Sequence, residues 1–263
     1  MTTAPTRRER QRQATYEEIV EVSRRLLREA QDVSLRAVAQ EMGLTPPALY
    51  RYVESHAELM RLVARSVFAD VVAAMAVARD AQPLDDPAAR IVVSTAAFRA
   101  WALTNREEFQ LVFASPTSAT LAAVAECTPP LMTSLDSRGP DDTGVQLFAG
   151  FFSELFGALW ASYQFPVPDD SELDPRLLEA LHEELKPQAV TDSLGVPAAG
   201  MIWLFERAWA RLYGTVTLEV FGHIHPAFIS TSALFEATML DLGRDLGIGG
   251  EWPRLRQLAR QYY

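Results

Sequence analysis

The chain has 263 residues and a net charge of −10, with 49% hydrophobic and 22% charged residues, the balance of a folded globular protein. No run approaches the roughly 18 uncharged apolar residues of a membrane span, no apolar stretch follows the charged start Arg7-Arg8-Glu9-Arg10, and a cytoplasmic protein without a membrane partner is expected. The single Cys127 excludes an internal disulfide and a cysteine zinc cluster.

The average charge hides an asymmetry: residues 1–65 carry a balance of +2 and residues 66–263 one of −12, while 22 of the 25 aromatic residues lie beyond residue 65. A short, mildly basic head therefore precedes a long, acidic, aromatic-rich body. Arg7, Arg8, Arg10 and Arg12 lie in residues 1–14, which read as a flexible basic arm, either reaching nucleic acid or solvated. Thr15 with Glu18 has the form of a capping box, and Ile19, Val22, Leu26 and Ala30 then form one buried stripe. Prolines punctuate the rest, and the spacing predicts helices over 34–41, 45–52, 55–80, 87–103, 105–114, 117–126, 143–164, 174–186, 197–223 and 229–246. The β-branched alternation near Val216, Leu218 and Val220 also fits a strand, but its flanks keep helical spacing. An all-α chain is predicted, with no internal repeat.

The segment from Ser34 to Tyr52 fits a helix-turn-helix at several independent points. Ser34 is placed to cap a helix that buries Leu35, Val38, Ala39 and Met42. Gly43 falls where the turn needs a positive φ. Thr45 is placed to cap the next helix, with Pro46 and Pro47 in its first turn, and Leu44, Leu49 and Tyr52 point back into a small core. Ser55 caps a third helix, whose Leu59, Leu62 and Val63 close that core. A generic helical hairpin would not leave over the small mixed face of Thr45, Pro46, Ala48, Tyr50 and Arg51, which suits close approach to a major groove.

These residues carry a resemblance. Met42-Gly-Leu-Thr-Pro-Pro-Ala-Leu-Tyr-Arg-Tyr-Val-Glu-Ser-His-Ala-Glu-Leu59 is similar to the signature of the tetracycline-repressor (TetR) family, and residues 15–65 resemble its DNA-binding domain. More weakly, Arg207 to Gly222 resembles a C-terminal regulatory domain of one branch. The resemblance implies an N-terminal three-helix DNA-binding domain at 15–65 and a larger C-terminal helical ligand-binding and dimerisation domain at 66–263. It also implies a homodimer released from an operator in double-stranded DNA by a small-molecule effector. Carried over by position, Arg36, Thr45, Pro46, Ala48, Tyr50, Arg51 and Tyr52 face DNA. The chain departs from the family pattern at His56, where Lys is frequent, at Thr45-Pro46-Pro47, which removes two backbone donors, and at Val53, where Phe is usual. A neutral imidazole at His56 makes a weaker phosphate contact than an ammonium.

In the body, seven aromatic residues crowd into 145–165. Bulky flat side chains that do not tile densely leave cavities, and apolar cavities take apolar ligands. A ligand pocket lined by some of Phe98, Trp101, Phe152, Phe156, Trp160, Trp203 and Tyr213 is expected, with Arg99, Asn105, Gln110, Glu154 and Glu206 as polar anchor candidates. The predicted helices 197–223 and 229–246 are apolar on two faces, in the second as Ala233/Ala237/Leu240 and Phe235/Met239/Leu242. Each must bury both, one inward and one against a symmetry mate or within the fold. The tail from Trp252 to Tyr263 reads as a short surface helix. No phosphate-cradling loop or nucleophile elbow is present. Glu219, His223 and His225 have weak metal-ligand spacing, although His-x-His before a Pro more often ends a helix. No catalytic residue, metal or cofactor is assigned. The sequence thus reads as a regulator rather than an enzyme, and the competing reading is a helical small-molecule-binding protein or enzyme without operator binding.

Overall fold

The computed structural model describes residues 6–114, 144–184 and 198–263, so the helix expected at 117–126 and Cys127 lie outside the described residues. Among the described residues there are twelve α-helices and no strand. The head contains α1 (Arg7–Arg28), α2 (Leu35–Glu41) and α3 (Pro46–Leu49), and α4 (His56–Asp80) continues from it into the body. The body adds α5 (Pro87–Thr104), α6 (Arg106–Phe109) with a π turn (Gln110–Ala114), α7 (Gly144–Tyr163), α8 (Pro175–Glu184), α9 (Ala198–Val220), α10 (Pro226–Ser230), α11 (Ala233–Asp245) and α12 (Trp252–Ala259). No described helix is long and apolar enough to cross a membrane.

Local chemistry sets most boundaries. Ser34 Oγ accepts from Ala37 N and Ser55 Oγ from Glu58 N, as their N-cap positions require. Gly43 takes φ +66° at the turn between α2 and α3. Thr45 departs from expectation: it occupies the N-cap of α3 but makes no side-chain cap bond, because Pro46 and Pro47 have no N–H and Ala48 N donates to the Thr45 carbonyl instead. The regular part of α3 is only four residues long, and turns through Tyr52 N and Val53 N, both to the Leu49 carbonyl, complete the segment. The expected helix at 229–246 is broken, since Ser232 adopts φ +57° and separates α10 from α11.

The first helix starts earlier than its Thr15 box suggests. Thr6 and Glu9 form a reciprocal capping box, while Thr15 lies inside α1 and its hydroxyl donates to the Gln11 carbonyl. The run of Arg, Glu and Gln between the two threonines favours helix and holds no Gly or Pro to stop it. Residues 7–14 are therefore two helical turns rather than a flexible arm.

Two cores result. In the head, Ile19, Leu26, Val33, Leu35, Val38, Ala39, Leu49, Val53 and Leu59 pack together. On α4 the core changes hands within one turn, since Leu59 belongs to the head and Val63, Val67, Val71 and Met75 to the body. Helix α5 is buried on nearly every face and forms the axis of the body.

An ionic cluster joins the cores. Glu108 on α6 is fully buried and accepts from Arg24 Nε at 2.8 Å, Arg24 Nη2 at 2.9 Å and Arg28 Nη1 at 3.2 Å. Arg24 also donates to Asp70 (3.0 Å) and Ser66 (3.3 Å) on α4, and Asp70 accepts from Trp101 Nε1 at 3.1 Å. Three helices, α1, α4 and α6, thus meet on one guanidinium, and α5 joins them through Asp70. The C-terminal segment is likewise held by charge rather than lying loose. Glu236 on α11 accepts from Arg256, Arg260 and the Tyr263 hydroxyl, and Leu255 and Ala259 are buried.

Two outcomes are expected. Removing the Glu108 carboxylate strands a largely buried guanidinium, so Glu108→Ala should lower unfolding free energy by about 3 kcal/mol or more in urea titration. Burial opposes ionisation of Glu236, but Arg260 and Arg256 outweigh it and hold its carboxyl at about 2. A depressed folded pKa gives stability that is fully present above the ordinary value of 4.5 and is lost as pH falls towards 2. That loss, at most ~3 kcal/mol, should vanish from the acid-denaturation profile of Glu236→Gln.

Candidate nucleic-acid interface and effector cavity

The outer face of the head is built on α2, the Gly43 turn and α3. Leu49 is fully buried and fixes the orientation of α3, which turns Thr45, Pro46, Tyr50 and Arg51 to solvent, with Ala48 and Tyr52 half-buried beside them. Arg36 lies exposed on the first turn of α2. Because the prolines leave the Thr45 hydroxyl without a cap bond, it remains free for an outside acceptor. Tyr52 packs edge-on against Tyr16 with ring centroids 5.7 Å apart, and the Tyr16 hydroxyl donates to the Tyr52 carbonyl at 2.9 Å. His56 sits differently from the phosphate-facing residue its position implies. Its Nε2–H donates to the Val33 carbonyl at 2.9 Å, so the ring ties the start of α4 to the loop before α2.

The electrostatics of this face differ from those of the body. Among the described residues, every arginine beyond Arg65 has a hydrogen-bonding, ionic or aromatic partner, for example Arg79 with Asp80, Arg99 with Glu219, Arg207 over Trp203 and Arg254 with Asp86. Arg7, Arg8, Arg36, Arg51, Arg61 and Arg65 have none. Arg61 and Arg65 on α4 were not singled out from the sequence, where an arginine looks the same whether or not an acid lies opposite it.

The body holds an apolar cavity of about 50 Å³ between α5, α7, α9 and α11. Phe152 and Phe156 of α7 line it, as expected, together with Phe205, Trp209 and Leu212 of α9 and Met239 of α11. Its hydroxyl-bearing wall residue, Thr95, donates internally to the Val92 carbonyl at 2.7 Å. Phe98 and Tyr213 stand one layer behind: Phe98 lies 6.0 Å from Trp209, and Tyr213 stacks on Trp209 at 5.4 Å. The Tyr213 hydroxyl donates to the Phe113 carbonyl in the π turn at 2.5 Å.

Three expected lining residues and the anchor candidate Glu206 are elsewhere. Trp101 bonds to Asp70 at the junction, Trp160 is half-buried away from the cavity, and Trp203 and Glu206 face outward on α9. The signal that separates them is positional, since Phe205, Trp209, Leu212 and Val216 recur at four, three and four along the inner face, which Trp203 and Glu206 do not share. The other anchor candidates lie elsewhere too. Asn105 donates to the Trp101 carbonyl, Gln110 and Glu154 are exposed, and Arg99 is buried in an ion pair with Glu219. That pair uses Glu219, His225 caps α10, and no group of three or more metal-ligating side chains occurs among the described residues.

Helices α9 and α11 pack through their inner faces, with Thr215 and Thr238 hydroxyls 3.1 Å apart and Arg211 bound to Asp245. Phe235, Met239 and Leu242 are buried, whereas Ala233 and Ala237 are exposed and Leu240 half-buried. On α9, Trp203 and Leu218 are also exposed.

Comparison with known proteins places this architecture. A family model described as "Tetracyclin repressor-like, C-terminal domain" matches residues 94–242. The HTH-type transcriptional regulators Mb1846 of Mycobacterium bovis and Rv1816 of Mycobacterium tuberculosis are each 28% identical over 207 residues, covering 78% of this chain and 80% of the relative. The crystal structure of SCO4313, described as regulatory, superposes with a TM-score of 0.58 at 23% identity, over 91% of this chain and 98% of that one, a likeness of fold. With its described helices, its α2–turn–α3 head and a family match spanning more than half its length, the chain belongs to the tetracycline-repressor-like family of transcriptional regulators.

Proposed function

We propose that the chain is a homodimeric repressor that binds a palindromic operator through its heads and is released by a small apolar or aromatic ligand. The observation that carries the DNA reading is the distribution of unpartnered cations. In a chain of net charge −10, the described arginines without a partner lie on the head, where phosphates can neutralise them. Thr45, Pro46, Ala48, Tyr50 and Arg51 supply a small, mixed surface for the major groove, with Arg36 beside it and Tyr52 and His56 bracing it. The outward stripes of α9 and α11, with Trp203, Leu218, Ala233, Ala237 and Leu240, support pairing with a second copy across a two-fold axis.

The ligand reading rests on the cavity. Its wall is almost wholly apolar, and the Thr95 hydroxyl is bonded internally, which favours an uncharged, apolar guest. At about 50 Å³ it is roughly a third of the ~150 Å³ apolar cavity that accepts benzene, so a guest with one ring has to push Phe152, Phe205 or Trp209 aside. Trp209 leads through Tyr213 and Phe113 to α6, whose Glu108 holds the head. A displaced wall therefore has a continuous path to the DNA-binding surface.

Selection of the full-length protein against random duplex DNA should enrich a two-fold symmetric site with half-sites about one helical turn apart or somewhat more. Arg51→Ala should weaken binding to that site by at least about tenfold with an unchanged melting temperature; finding no enriched site at low salt would leave the body as the functional part. Small aromatic hydrocarbons should raise the melting temperature and lower operator affinity. Ala208→Val, which fills the cavity with two methyl groups, should abolish both responses while preserving operator binding, and unaltered responses would place the ligand elsewhere.

A further inference from the structure

We propose that the first two turns of α1 form a second DNA-binding element, a rigid basic strut that holds the sugar–phosphate backbone flanking the half-site read by α3. The proposal rests on the operator-binding reading above and extends it to residues outside the helix-turn-helix.

The first observation is order where the sequence suggests a loose arm. The reciprocal box between Thr6 and Glu9 starts α1 at Arg7, so Arg7 stands nine residues, roughly 13 Å, in front of Tyr16 along one helix. The second is the anchor. Tyr16 is bound to the end of the α3 segment by its hydroxyl bond to the Tyr52 carbonyl and its edge contact with the Tyr52 ring. Arg12 donates to the Tyr16 hydroxyl at 3.3 Å, with its guanidinium 5.6 Å from the ring centre. The extension therefore keeps a set position relative to α3.

The third observation is an open groove between the extension and α3. Arg7, Arg8 and Arg12 line one side, and Ala48, Arg51 and Tyr52 the other. The acids that also border it are Glu9 and Glu18. Glu9 is turned back onto its own helix cap, accepting from Thr6 N at 2.6 Å, so four guanidinium groups face two carboxylates. Arg7, Arg8 and Arg51 have no partner of their own. Because Ala48, Arg51 and Tyr52 belong to the reading face, a duplex seated on α3 brings its flanking phosphates to this groove. Guanidinium groups on a helix of fixed position also lose less conformational freedom on binding than the same groups on a disordered tail.

The test uses the full-length protein and its selected operator, in a short duplex and in one extended by five base pairs on each side. Affinity is measured against salt concentration. Wild type should prefer the extended duplex by about tenfold or more, and Arg7→Ala with Arg8→Ala should remove that preference. The double variant should also flatten the slope of log affinity against log salt by about 0.9 for each phosphate that is no longer neutralised. Gln11→Pro keeps every charge but interrupts the helix ahead of Tyr16, and it should reproduce the loss of preference. Arg176→Ala removes an exposed body charge and should leave slope and preference unchanged. An unchanged slope and preference in the double variant would overturn the proposal, and so would wild-type behaviour of Gln11→Pro, which would mean that the charges act from a flexible tail. Failure of the wild type to bind any duplex would instead refute the operator reading itself. Melting temperatures near wild type confirm that the variants are folded, since the substituted side chains lie outside both cores.

Discussion

A carboxylate withdrawn from water must be compensated where it sits, and the compensation of Glu108 organises this molecule. Its two oxygens take three N–H bonds from Arg24 and Arg28 of α1, and Arg24 in turn reaches Asp70 and Ser66 of α4. Charge-assisted bonds of this kind tolerate little change in angle or distance. The orientation of the head on the body therefore follows from the position of α6, a single turn of helix. Since α6 runs straight into the π turn that Tyr213 holds at Phe113, contacts continue without a gap from the junction to the aromatic wall of the cavity.

The same physics resolves the apparent conflict between an acidic chain and a DNA-binding reading. Net charge governs long-range potential, but phosphate contact is decided by which cations are free. In the body, carboxylates occupy nearly all the guanidinium groups they face, as at Glu236 with Arg256 and Arg260 or Asp86 with Arg254. On the head, Arg25 and Arg28 are paired with Glu41 and Glu21, whereas Arg36 and Arg51 of the α2–α3 face and Arg7 and Arg8 at the start of α1 are not.

The aromatic residues divide into two populations that composition does not distinguish. One interdigitates around Phe98, Phe109, Phe113 and Phe148 at centroid distances of 4.8–6.2 Å, which is dense core packing. The other, at Phe152, Phe156, Phe205 and Trp209, leaves the small void. Whether a ring closes a core or borders a gap depends on what faces it from a neighbouring helix.

Periodicity, capping and turn chemistry determined much of this protein. The all-α class, most of the described helices of the body, the Ser34 and Ser55 caps, the Gly43 turn and the family signature from Met42 to Leu59 were legible in the chain, because each depends on residues within one or two turns of one another. Local rules also misled where two equivalent signals competed, as at Thr6 and Thr15, and where prolines removed the donors that Thr45 would have capped. Only the tertiary structure decided which arginines are free, that Trp101 serves the junction while Trp209 lines the cavity, that His56 braces a loop, and that the C-terminal segment is clamped to Glu236. Those outcomes depend on partners tens of residues away, such as Arg24 with Glu108 or Arg99 with Glu219, and a side chain carries no local mark of what will lie opposite it once the helices pack.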